Sequence, residues 1–132
     1  MSKPKLKHVT VLAIDDDPTF LKLQKRVLDS LGVRHTINVS SAADAFGELN
    51  HDEGFISIIL LDLNMPEKDG VAFLKKLRKH NNERIASLPV IIVSAEDTHD
   101  FEDDLNELDI AGFLPKPVVP ELLESEILLA LE

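Results

Sequence analysis

Five short apolar runs punctuate the sequence: "HVTVLAI" (8–14), "HTINV" (35–39), "FISIILL" (55–61), "PVIIVS" (89–94) and "AGFLP" (111–115). A segment with helical spacing follows each, so the chain reads as five strand–helix units. Within them "SIILL" and "VIIV" are continuously apolar instead of alternating. Such strands are buried on both faces, which parallel sheets require and right-handed helical crossovers provide. The expected fold class is α/β, a doubly wound sandwich around a five-stranded parallel sheet. In the first helix Phe20, Leu21, Leu23, Val27, Leu28 and Leu31 fall within an arc of about half the circumference, and Gly32 follows as a stop. Those six should face the sheet. "HNNERIASLP" (80–89) reads as a longer loop before the fourth strand.

The 132 residues suit one domain, 1–132, with the basic start "MSKPKLK" (1–7) as a solvated extension. The sequence holds no cysteine, which removes disulfides, thiolate catalysis and cysteine zinc sites. No apolar run approaches the roughly 18 residues of a membrane span, and the polar start has no signal-peptide core. The chain therefore reads as cytoplasmic. Its net charge of −10 would repel a phosphate backbone, so direct nucleic-acid binding is not expected. His8, His35, His51, His80 and His99 lack metal-ligand spacing and read as surface or loop residues.

Ligands of open parallel sheets bind beyond the carboxyl ends of the strands. There the first strand is followed by Asp15 and Asp16, the third by Asp62, the fourth by Ser94 and the fifth by Lys116. If the strand order is 2-1-3-4-5, these four strands are neighbours and their polar residues converge on one crevice. Three carboxylates there would repel, and Lys116 supplies a single positive charge. A divalent cation is the natural remedy, and all-oxygen ligands favour Mg2+ over Zn2+. Phosphoryl chemistry follows as the leading idea, with Asp62 as nucleophile and Ser94 and Lys116 beside the transferred group. Asp17, followed by Pro18 at the first helical position, is explained by N-capping alone. Ser94 and Lys116 would each be unremarked singly; their positions beside Asp62 raise them.

"VLAIDDDP", "IILLDLNMPEKDG", "VIIVSA" and "FLPKP", in that order and spacing, resemble the receiver domain of two-component response regulators, the CheY-like group. The match runs from about Thr10 to the end, and its most specific block is "LDLNMPEKDG", Leu61 to Gly70. The resemblance implies a flavodoxin/CheY-like (βα)5 sandwich in which Asp62 takes a phosphoryl group from a sensor histidine kinase or a histidine phosphotransfer protein. It implies that Asp15, Asp16, Asp62 and the backbone carbonyl of Asn64 hold Mg2+, that Lys116 pairs with the phosphoryl group and that Ser94 hydrogen-bonds it. Phe113 stands where receivers place a switch aromatic, and the Lys116–Pro117 bond is commonly cis in the family. Asn64 and Glu96 occupy positions that tune dephosphorylation, and their pairing implies a short-lived phosphoryl state. Such a chain is a signalling switch that catalyses only its own phosphorylation and dephosphorylation.

Two rivals stand beside this reading. Asp15-Asp16-Asp17-Pro18-Thr19 also fits the first motif of haloacid-dehalogenase-type phosphatases, with Asp15 as nucleophile and Asp17 as acid/base. That family's downstream acidic pair is missing, and "LDLNMPEKDG" would go unexplained. A receiver-like module that never accepts phosphate is the other, disfavoured because every chemical position is filled. The last helix, "PELLESEILLALE", carries Leu122, Leu123, Ile127, Leu128, Leu129 and Leu131 nearly all round, more apolar surface than one sheet face needs. A homodimer or an output partner through the fourth and fifth helices is therefore expected. The acidic "EDTHDFEDDLNELD" (96–109) reads as a solvated face or as a docking surface for a basic partner.

Overall fold

The computed structural model describes residues 3–65, 69–95 and 107–132. Its sheet has five parallel strands: β1 (Thr10–Ile14), β2 (His35–Val39), β3 (Ile58–Leu61), β4 (Val90–Ser94) and β5 (Gly112–Pro115). Their order is β2-β1-β3-β4-β5, as expected. Every residue of β1, β3 and β4 is buried, whereas the edge strands β2 and β5 are partly exposed. Alternate side chains go to opposite faces. Leu12, Ile14, Ile59, Leu61, Val90 and Ile92 join a core with Leu49 of α2 (Ala42–His51) and Phe73, Leu74 and Leu77 of α3 (Asp69–Arg78). Val11, Ile58, Leu60, Ile91, Val93 and Leu114 join a second core with Leu28 of α1 (Pro18–Ser30). Leu123 and Ile127 of the last helix complete it.

Several expectations are corrected in detail. Leu23 is 54% exposed, while Gln24 is buried in its place. The stripe that meets the sheet is narrower than half the helix. The third strand starts at Ile58, not Phe55, because Asp52 Oδ1 accepts the N–H groups of Phe55 and Ile56 and leaves the Phe55 side chain exposed. The loop 80–89 contains a short helix, α4 (Glu83–Ala86), capped by Asn82 Oδ1 on Arg84 N and Ile85 N. Its Ile85 is buried. The N-terminal extension forms a 3-10 turn over Lys3–Leu6 whose Leu6 is fully buried in the second core.

The last helix, α5 (Pro120–Ala130), buries Leu123 and Ile127 and exposes Leu122 and Leu129. With Val119, Leu131 and Phe113 also exposed, apolar surface remains beyond what packing on the sheet uses. Most of 96–109 lies outside the described residues. No helix among the described residues is long and apolar enough to cross a membrane.

Candidate functional site

β1 delivers Asp15 and Asp16 at its carboxyl end, and the next residues open α1. Asp17 Oδ1 accepts the backbone N–H groups of Thr19 and Phe20 at 3.0 and 3.2 Å, which is the N-cap expected of it. Asp15 takes a different part. Its Oδ1 accepts the N–H of Asp17 at 2.9 Å, and its Oδ2 lies 2.6 Å from Lys116 Nζ. Asp15 is buried and Asp16 exposed.

Asp62 is buried just beyond β3, and its Oδ1 accepts the N–H of Asn64 at 3.0 Å. Carboxylate oxygens of Asp15, Asp16 and Asp62 lie within 4.8 Å of one another. Lys116 Nζ is 3.6 Å from Asp62 Oδ2, so one ammonium lies beside two of the three clustered carboxylates. Burial pushes the Asp15 carboxyl above its usual range; the bonds from Lys116 and from the Asp17 N–H oppose this, and the charge of Asp62 adds to it. A crevice of oxygen donors with surplus negative charge, partly desolvated, is chemically suited to a hard divalent cation.

Ser94 closes β4, buried, and its Oγ accepts a hydrogen bond from Asn64 Nδ2 at 2.6 Å. The N–H of Lys116 donates to the Ser94 carbonyl at 3.0 Å, extending the β4–β5 ladder to the lysine. The Lys116–Pro117 peptide is cis. Asp15, Asp16, Asp62, Ser94 and Lys116 are thus brought to one end of four adjacent strands. Phe113 sits on β5 and is 39% exposed. Glu96 lies outside the described residues.

Three features escape a reading of the sequence alone. The Asn64–Ser94 bond joins residues 30 apart in the chain. Phe20, expected only as a sheet-facing residue, places its ring centroid 4.2 Å from Lys116 Nζ. Gly70, on α3, lies so close to the loop beyond β3 that a Cβ there would stand 2.6 Å from the Asp62 carbonyl oxygen and 2.7 Å from Leu63 Cα. A glycine opening a helix right after an acidic loop was the available signal for that close approach.

Residues 11–128 match the model of the response regulator receiver domain. The chain is 28% identical over 117 residues to the chemotaxis protein CheY of Pseudomonas aeruginosa, covering 89% of this chain and 91% of that protein. It is 32% identical over 108 residues to the chemotaxis protein CheV1 of Helicobacter pylori; that match takes in 80% of this chain but only 33% of the longer relative. Among solved structures, a CheY-like receiver domain from Methylobacillus flagellatus superposes with a TM-score of 0.79 at 27% identity, over 94% of this chain and 98% of that one. CheY4 of Vibrio cholerae, at 22% identity and a TM-score of 0.78, shares the fold. The strand order, the acidic cluster at the strand ends and the match along most of the sequence agree: the chain belongs to the response regulator receiver domain family.

Proposed function

We propose that this chain is the phosphoacceptor of a two-component or phosphorelay pathway, with Asp62 as the residue that carries the phosphoryl group. The observation that carries the reading is the placement of Asp62: buried at a strand end, 3.6 Å from the Lys116 ammonium and beside a pair of carboxylates on the next strand. A carboxylate oxygen of Asp62 would bond to phosphorus as the P–N bond of a partner's phosphohistidine breaks. The imidazole would leave with the electron pair and take a proton from solvent. Mg2+, held by Asp15, Asp16, Asp62 and the Asn64 carbonyl, would supply neutralisation of the phosphoryl oxygens. Lys116 would exchange its pairing with Asp15 for one with the new anion, and Ser94 would give up the Asn64 amide to donate its hydroxyl.

That exchange is the switch. Phe113 is 39% exposed in the present arrangement, and a move of Ser94 toward the phosphoryl group would favour a more buried ring and change the exposed face of β5 and α5. A second copy of the chain or an output protein would read that face. The donor is a sensor histidine kinase or a histidine phosphotransfer protein. The phosphatase reading with Asp15 as nucleophile is disfavoured: Asp15 is engaged by Lys116 and by the Asp17 N–H, and Asp17 is spent on the helix cap.

Intact mass after exposure to acetyl phosphate with Mg2+ tests the proposal, beside an EDTA control and Asp62→Ala. One added phosphoryl group that vanishes in both controls is expected. No gain would favour a module that never accepts phosphate, and a gain that survives Asp62→Ala would favour Asp15.

A further inference from the structure

Among the described residues, three groups approach Lys116. Its Nζ lies 2.6 Å from Asp15 Oδ2, 3.6 Å from Asp62 Oδ2 and over the Phe20 ring at 4.2 Å from the centroid. Phe20 is the third residue of α1, and the same local network fixes its place. The Phe20 N–H donates to Asp17 Oδ1, and the Asp17 N–H donates to Asp15 Oδ1. One carboxylate, Asp15, therefore locates the ammonium with one oxygen and the turn that bears the ring with the other. The ring also packs against the core that includes Leu28, Leu114 and Leu123, so it is held by packing as well as by the cap.

The chemistry of the site explains why a π face would serve where another anion would not. A lysine stem is flexible, and the ammonium must be free to leave Asp15 when a phosphoryl group arrives on Asp62. A further carboxylate beside it would compete with that group for the positive charge. An aromatic face attracts the ammonium without neutralising it and tolerates its sliding from one oxygen to another. Any apolar side chain could fill the space, but only an aromatic one offers this attraction. Resting on the reading of Lys116 as partner of the phosphoryl group on Asp62, we infer that Phe20 is a positioning residue that steers the Lys116 ammonium between Asp15 and Asp62.

The test compares wild type with Phe20→Leu and Phe20→Met, which keep apolar volume, and with Phe20→Tyr, which keeps the π face. Phosphorylation by acetyl phosphate with Mg2+ is followed by intact mass across donor concentrations. In that reaction the bond from phosphorus to the acetyl oxygen breaks, acetate leaves with the electron pair, and an Asp62 oxygen bonds to phosphorus. The maximal rate is expected to fall by about 2- to 30-fold in the Leu and Met variants, with donor half-saturation unchanged. Phe20→Tyr should stay within about twofold of wild type if the π face is what counts. Independently, the Lys116 Hε protons should show an upfield ring-current shift in wild type and in Phe20→Tyr, lost in the other two. Thermal unfolding shows which variants are folded, and either aliphatic variant suffices.

Equal rates in wild type and an aliphatic variant overturn the inference, and so does a tyrosine variant as slow as the aliphatic ones, since packing alone would then explain the effect. Wild type that gains no phosphoryl group overturns the proposed function itself, and the role of Phe20 with it. That outcome is read without any variant, so the two failures are distinct.

Discussion

Burial lifts the Asp15 carboxyl above the ordinary aspartate range although Lys116 Nζ stands 2.6 Å away. Desolvation therefore outweighs the ion pair, and the stability consequence has a definite sign. Below the unfolded-chain value of 3.8 both states carry the proton and the penalty is absent; as pH rises through the higher folded value, ionisation favours the unfolded chain and stability is lost. In EDTA at neutral pH, Asp15→Asn should unfold at a higher temperature than wild type, since the amide oxygen can still accept from Lys116. The gap should narrow as pH is lowered through the folded value. A calorimetric series over pH checks this, and a less stable Asp15→Asn at pH 7 would show that the ion pair wins after all. Gly70 sets a second constraint of this scale. Gly70→Ala puts a methyl group against the Asp62–Leu63 backbone, and the expected result is a cost of about 1–3 kcal/mol in denaturant titration together with, on the proposed function, slower phosphorylation of Asp62.

Arg78, in the last turn of α3, ties that helix to two loops through backbone carbonyls. Its Nε donates to the Leu108 carbonyl, one terminal nitrogen to Ala86 and Leu88, and the other to Asp109, all at 2.8 to 2.9 Å. One guanidinium thus clamps α3 to the residues entering β4 and to the turn before β5, where Asp109 takes φ 53°. A lysine has neither the fork nor the number of donors to replace it. Arg78→Lys should cost roughly 1–3 kcal/mol, the scale of a buried acceptor left unmade, read as a lower denaturant midpoint. The same element scale shows where local sequence rules succeed. Asp17 before Pro18, and Gly32 at φ 85° after α1, mark the helix ends because capping depends on neighbours in the chain. The Asp52 bonds that delay β3 and the Asn82 cap that starts α4 follow the same rules, but "FISIILL" and the polar run 80–89 mask them.

At the scale of the whole molecule, two cores meet across a sheet whose central strands are fully buried. Leu6 reaches the second core from the N-terminal turn, fully buried beside Val9, Val11 and Ile58. Leu6→Ala should cost about 2–5 kcal/mol in equilibrium unfolding, the range for a buried leucine truncated to a methyl group. A change below about 0.5 kcal/mol, usual for exposed positions, would return the segment to a solvated extension.

The sequence alone pointed to the parallel sheet, because continuous apolar runs suit strands covered on both faces and each is followed by a helical segment, and it placed the acidic pair, Asp62, Ser94 and Lys116 at strand ends. It also determined the cap at Asp17, a matter of residues two and three apart. Tertiary structure decided which partners those groups take: Lys116 on Asp15 across 101 residues, Asn64 on Ser94 across 30, the Phe20 ring beneath an ammonium and the Gly70 backbone against the Asp62 loop. It also decided that Leu6 is core and Leu23 is not. Periodicity reports which side of an element is apolar, but distances between elements depend on the packing of the whole sheet and its helices, and no local pattern encodes them.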